Sequence, residues 1–311
     1  MSKELILPTI KKAGALANIK TGNHKITTLD LSKRTCVSKF LKEEAPTLQE
    51  QMQQKYQGLD LMLVGDLTGS MSQYYTLLKR KFHEIPKKLF PLIQNLRIGI
   101  IFYLDHGCGD PYVTRICQPT NNLQEIKDFI DRTCTGFGGD ADEAVEDALN
   151  DLLHNIQWHG AHNRSVVLFG DAKCHRPEQC PSHFDFFEIT KGLYEKQTTI
   201  NTVYCGQCYG DIQNQCPTEI GDFSKPIHLG NDSEFFAWLA NVTGGMAITI
   251  ERVDDLVDII MTAAAKDGGK LEEFAKTVSR EPQKLKLIAM AKKAEVRLLE
   301  AKKKMALGYS K

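Results

Sequence analysis

Short runs of consecutive apolar residues alternate along the chain with longer stretches whose apolar positions recur every three or four residues. Leu59 to Asp66 (LDLMLVGD), Arg97 to Leu104 (RIGIIFYL) and Arg164 to Asp171 (RSVVLFGD) are such runs, with Thr199 to Cys205 and Ala247 to Ile250 as shorter ones. Runs of this length and evenness predict strands buried on both faces of a parallel sheet. Between them the spacing predicts helices over Ser70 to Leu96, Asn122 to Cys134, Ala141 to Ile156, Asp185 to Lys196, Ser233 to Val242 and Val253 to Ala264. Pro86 and Pro91 should kink or split the first of these.

Tyr112 to Cys117 follows the second strand too closely for a crossover helix, which predicts a hairpin and an antiparallel edge strand. The expected fold class is therefore α/β: a Rossmann-like, doubly wound, six-stranded sheet, mostly parallel with one antiparallel edge strand, and helices on both faces. Ligands in such folds bind at the carboxyl ends of the strands. Chemistry is expected there.

Composition sharpens this picture in two respects. Lys plus Arg and Asp plus Glu each number 39 in 311 residues, yet the balance is uneven: residues 1–58 carry a net +5, residues 266–311 a net +7 and residues 59–265 a net −12. The expected division is a basic, partly helical arm over 1–57, a sheet domain over 58–265 and a basic helical extension over 266–311. An acidic body argues against a nucleic-acid face, which needs clustered Lys and Arg to neutralise phosphates, and suits cation binding. In the last segment Leu287, Ala291, Ala294, Leu298, Ala301 and Met305 form one helical stripe, expected to dock on the protein's own body.

No apolar run approaches the roughly 20 residues of a membrane span, and the start lacks the apolar stretch of a secretory signal. Nine cysteines, an odd number in a chain with ample core, fit free thiols or metal ligands in a reducing compartment better than a disulfide framework. A cytoplasmic protein with no membrane partner is the expectation.

The first strand ends in Asp66-Leu67-Thr68-Gly69-Ser70, where alternate residues bring a carboxylate and two hydroxyls to one spot above the sheet edge. A compact all-oxygen set favours Mg²⁺ or Mn²⁺. Taken alone, the same pattern also suits a capped helix start. Two further acidic clusters at strand ends of the same sheet, Gly138-Gly139-Asp140-Ala141-Asp142-Glu143 and Asp171, favour the cation.

With these residues in view, the chain resembles the von Willebrand factor type A (vWA) domain with its metal-ion-dependent adhesion site (MIDAS), over roughly residues 58 to 265. Asp66-x-Thr68-x-Ser70 is similar to the family's Asp-x-Ser-x-Ser, and Asp171 to its last acidic residue, which usually holds the ion through water. For the middle motif, Thr135 is one candidate. Asp140-Ala-Asp142-Glu143 looks more like the integrin β-subunit branch, in which the glutamate contacts the ion, so Glu143 is preferred. The same branch implies that Asp105, with Asp140 and Glu143, frames a second divalent cation; a hydrogen-bond network around Asp140 is the alternative. Asp142 stands where that branch has proline, which should loosen the turn.

The resemblance, closest to the integrin β-like and bacterial intracellular members, implies a non-enzymatic, metal-dependent protein-interaction module. It would bind an Asp or Glu of a partner through Mg²⁺, in a multi-component system with an AAA+ ATPase, kinase or phosphatase component. Two other readings are weighed. A haloacid-dehalogenase-like, Mg²⁺-dependent phosphatase or hydrolase is disfavoured because Thr68 stands where its acid/base aspartate belongs. A purely structural scaffold could carry a Zn²⁺ clip made of Cys174 or His175, Cys180, Cys205 and Cys208, with Cys216 nearby in sequence. His106 and His175 read as hydrogen-bonded surface groups on loops.

Overall fold

The computed structural model describes residues 58–81, 84–107, 109–139, 141–224, 227, 230–250, 255–278 and 281–306. The basic arm expected over 1–57, together with Asp140, lies outside them. Six strands, β1 (Gly58–Asp66), β2 (Leu96–Tyr103), β3 (Thr114–Thr120), β4 (His162–Gly170), β5 (Thr198–Tyr204) and β6 (Ala247–Thr249), form one sheet in the order β3-β2-β1-β4-β5-β6. Every pairing is parallel except that of β3 with β2. This is a doubly wound α/β arrangement, six strands in one mixed sheet with helices on both faces. The strand order reverses between β1 and β4, so the crevice such sheets use for ligands opens where Asp66 ends β1 and Asp171 follows β4.

Why β1 reads as a continuous apolar run is visible in its two faces. Leu59, Leu61 and Leu63 enter the core on one side, and Met62 and Val64 enter the core on the other. Each fully buried side chain of this size stabilises the fold by about 1.5–3 kcal/mol, so either face alone justifies the strand. Edge strand β3 has only one residue fully buried, Pro119, and its pattern was correspondingly fainter: it begins at Thr114 and runs to Thr120, later than expected.

One side of the sheet carries α1 (Ser72–Lys81), α2 (Glu84–Leu89), α3 (Leu123–Asp131), α7 (Asp255–Asp267), α8 (Leu271–Thr277) and α9 (Pro282–Ala306). The other carries α4 (Val145–His154), α5 (Phe186–Glu195) and α6 (Asp232–Thr243), with Trp238 buried among Phe186, Phe187 and Phe223. The helix expected over 70–96 is broken: a 3₁₀ turn (Gly69–Met71) precedes α1, and α2 accommodates Pro86 in its first turn, where a missing N–H costs nothing. The apolar stripe of α9 packs on the body, with Leu287, Ala291 and Ala294 buried beside Ala264 and Phe274. Further along, Arg297 donates to the Asn241 side chain and the Gly245 carbonyl, both at 2.8 Å.

Candidate metal centre

β1 delivers Asp66 fully buried at the sheet's carboxyl edge, and the turn after it reverses onto that carboxylate. The Thr68 backbone N–H and hydroxyl both donate to Asp66 Oδ1, at 2.8 and 2.7 Å, and the Ser70 hydroxyl lies 3.4 Å from that of Thr68. Thr68 is buried whereas Ser70 is exposed at the mouth. A cleft of about 320 Å³ opens above them, lined in part by Ser70, Gly138, Glu143 and Asp171. Asp66, Thr68 and Ser70 of one turn thus meet Glu143 and Asp171, which lie far along the chain, at one place. Thr135 is exposed and does not line the cleft.

Glu143 reaches the cleft through a local departure from the predicted helix. Residues 141–144 are not helical: the Glu143 N–H donates to the Lys173 carbonyl at 2.9 Å, and Glu143 bridges to Cys174 in a parallel pairing, so α4 begins only at Val145. Periodicity cannot report this, since Glu143 is held by a partner segment 30 positions downstream. Asp142, at the position expected to loosen the turn, pairs with Lys173, whose backbone N–H is also held by Asp232.

Gly138, at φ +78°, allows the loop to approach; a Cβ there would stand 3.1 Å from Glu143 Oε1 and 3.4 Å from Thr68 Cβ. Asp110, which the sequence reading passed over, clamps the same loop by accepting from the N–H groups of Phe137 (2.8 Å) and Gly138 (3.3 Å). No periodicity marks it. Only its place in the loop after the second strand could have drawn attention to it.

Electrostatically the cleft is unbalanced. Burial pushes the Asp66 carboxyl up to about 7, with the charges of Asp171 and Asp105 adding to the shift against the Thr68 hydrogen bonds. Glu143 is pushed to about 8 by burial and by the charges of Asp66, Asp105 and Asp171. Among the described residues three buried polar atoms here have no hydrogen-bond partner: Asp66 Oδ2, Glu143 Oε2 and the Tyr103 hydroxyl. Tyr103 had read only as strand core. Its hydroxyl and Asp66 Oδ2 share the space over Gly170, lying 2.5 and 3.4 Å from where a Cβ of that residue would stand. Buried carboxylate oxygens without donors are what a bound cation would satisfy. The donor set of carboxylates and hydroxyls therefore fits a hard divalent ion.

Asp105 is buried beside this cleft with its oxygens already engaged. Oδ2 accepts from the Gly139 N–H at 2.8 Å and Oδ1 from the His106 N–H at 2.6 Å, with His175 Nε2 3.3 Å away. His175 is not a surface group: it is 3% exposed, and its Nδ1 lies 3.1 Å from Glu146 Oε1.

The zinc clip drawn from Cys174, Cys180, Cys205 and Cys208 does not assemble among the described residues. Cys174 packs in the core beneath α4, and the Cys205 thiol faces the Val203 carbonyl. Cys180 instead lies against Asp147, and the cluster of His, Cys, Asp and Glu whose ligand atoms all fall within 4.8 Å of one another is His106, Glu146, Asp147 and Cys180. Among the described residues, Asp66, Glu143 and Asp171 do not form a group that tight.

No protein-family profile matches the chain. A curated relative, the putative ariadne-like RING finger protein R811 of Acanthamoeba polyphaga mimivirus, is 26% identical over 206 residues, or 64% of this chain and 19% of that protein. The chain thus spans about a fifth of that relative's length. Among solved structures, proximal thread matrix protein 1 from the mussel byssus is similar with a TM-score of 0.46 at 14% identity, over 68% of this chain and 46% of that one. A structure of the same protein with a zinc-occupied MIDAS motif gives 0.45 at 14% identity, over the same shares. BatB from Bacteroides thetaiotaomicron gives 0.44 at 15%, over 70% of this chain and all of that one. At these levels the likenesses carry no residue-level inference. No helix among the described residues is long and apolar enough to cross a membrane.

Proposed function

We propose that the chain is a metal-dependent protein-interaction module rather than an enzyme, in which a divalent cation, Mg²⁺ or Mn²⁺, captures an Asp or Glu side chain of a partner. Asp66, Thr68, Ser70 and Glu143 would hold the ion, with Asp171 acting through water and Asp105 keeping the loop at Gly139 in place. The carrying observation is the convergence of unpartnered, buried Asp66 Oδ2 and Glu143 Oε2 beneath a cleft open to solvent. A cation held by few charged ligands keeps residual positive charge, and an incoming carboxylate completes its shell. The exposed Phe137 at the rim offers an apolar contact beside it. A component of an AAA+ ATPase, kinase or phosphatase system is the partner class that the vWA resemblance suggests.

Calorimetric titration of the chain with Mg²⁺ and Mn²⁺, alongside Asp66→Ala, tests the cation. A partner search by affinity capture in Mg²⁺ and in chelator, repeated with Ser70→Ala, tests the interaction. Binding of neither ion, with no shift in melting temperature, would sink the reading. A partner retained equally in chelator would move the interaction to another surface.

A further inference from the structure

We propose a second metal site, for Zn²⁺, at His106, Glu146, Asp147 and Cys180, distinct from the oxygen-lined cleft and serving to staple the loop between β4 and α5 to the body. Its four side chains offer one imidazole nitrogen, two carboxylate oxygens and one sulfur, with ligand atoms all within 4.8 Å of one another. That mixture is a zinc set, since Mg²⁺ avoids nitrogen and sulfur.

Three contacts inside the cluster lie within about half an ångström of the edges of a tetrahedral zinc site. His106 Nε2 lies 2.9 Å from Asp147 Oδ2 and 3.2 Å from Glu146 Oε1, and Cys180 Sγ lies 3.8 Å from Asp147 Oδ2. Zinc bonds of about 2.0–2.3 Å imply ligand-to-ligand edges of roughly 3.3–3.6 Å, so small side-chain movements suffice. The ligands come from three separate segments: the turn after β2, the first turn of α4 and the irregular β4–α5 loop. Two of them, Glu146 and Cys180, are 0% and 1% exposed, whereas His106 and Asp147 retain side-chain exposures of 12% and 17%, which gives the ion an entry side.

A supporting shell is also present. The His175 backbone N–H donates to Glu146 Oε2 at 3.1 Å while its ring stands 3.1 Å from Oε1, which fixes the carboxylate from behind. Partners of this kind orient ligands at metal sites. The other ring nitrogen of His175 meets Asp105, whose second oxygen holds Gly139 at the rim of the first site. A filled second site would therefore stiffen the rim of the first. It explains why a loop with so little regular structure, from Asp171 to Asp185, buries Cys180 and His175 in addition to Cys174, which packs in the core.

Co²⁺ substitution of the full chain in excess Mg²⁺ and a non-thiol reductant tests this, because a sulfur ligand gives a thiolate-to-cobalt charge-transfer band that an oxygen-only site cannot. One equivalent of Co²⁺ should bind with that band and with tetrahedral d–d intensity, and Zn²⁺ should displace it. Cys180→Ser should abolish the band, and His106→Ala should weaken binding by at least about tenfold while keeping the native circular dichroism. Asp66→Ala should leave the band intact, which separates failure of this site from failure of the first. A chain that binds no Co²⁺ or Zn²⁺, or a band that survives Cys180→Ser, would show the cluster to be hydrogen-bonded only and overturn the proposal.

Discussion

The Thr68 backbone N–H and hydroxyl donate to the same oxygen of Asp66, at 2.8 and 2.7 Å, leaving its other oxygen buried without a donor. The turn after β1 thus aims one carboxylate oxygen by saturating its twin. Replacing Thr68 by Val keeps shape but removes the hydroxyl, so one oxygen loses a donor and the cleft loses a ligand. Mg²⁺ affinity should fall by about tenfold or more, the loss typical of a removed supporting contact. Thr68→Ser keeps the hydroxyl and should stay within that margin. Calorimetry on the two variants checks this; equal affinities would remove Thr68 from the site.

Stability and cation binding should respond oppositely to pH. The folded-state carboxyls of Asp66 and Glu143 are raised, to about 7 and about 8, chiefly by burial. Between the ordinary carboxylate range and those values the folded chain holds more protons than the unfolded one, so stability falls as pH rises through that window. Mg²⁺ must displace those protons, so its apparent affinity should climb over the same window and level off above about 8. Melting temperatures in chelator and in Mg²⁺ across this range should diverge with rising pH. Parallel curves would show that no cation competes with these protons.

The fold was legible because apolar runs such as LDLMLVGD have few other uses in a chain of this composition. Asp66, Thr68, Ser70 and Asp171 were legible for a related reason: a strand end followed by a turn fixes where the next few side chains stand. Glu143 was reached through the family resemblance, since its placement depends on backbone pairing with Lys173 that no local pattern encodes. The cluster of His106, Glu146, Asp147 and Cys180 was missed for the same physical reason, its members being brought together by tertiary packing alone. Spacing arguments favoured Cys205-Gly-Gln-Cys208, whereas the thiol of Cys180 is the one that meets other ligands.

Gly138→Ala should damage the cleft more than the fold. The residue sits at φ +78°, where a side chain costs about 1–2 kcal/mol, and the added methyl would stand 3.1 Å from Glu143 Oε1. The loop carries that strain at its exposed end, so the melting temperature should drop modestly. Displacing Glu143 should weaken Mg²⁺ binding by a clearly larger fraction. Titration and thermal unfolding of the same sample discriminate; a variant that binds normally would show that Glu143 is not held by this contact.

At the opposite end of the sheet, Asp60 offers a control that separates stability from binding. It is fully buried on β1, where Arg97 of the neighbouring strand donates to both its oxygens at 2.8 and 2.6 Å, the His159 N–H donates at 2.7 Å, and His162 Nδ1 lies 2.8 Å away. Burial by itself would raise this carboxyl, but Arg97 and the other donors outweigh it and hold it below its ordinary value. The sign is therefore opposite to that of Asp66: stabilisation from Asp60 is present above the ordinary carboxylate value and is lost as pH falls through the lowered one. Asp60→Asn leaves Arg97 without its carboxylate and should cost about 2–4 kcal/mol near neutral pH, with the difference from the parent shrinking in acid. Mg²⁺ affinity of the folded variant should not change, because Asp60 stands six residues before Asp66 on β1, about 20 Å from the cleft. Denaturant unfolding at several pH values measures the first effect and calorimetry the second. A loss of affinity in this variant would mean that the two ends of β1 are coupled and that Asp66 owes its position to more than the turn beside it.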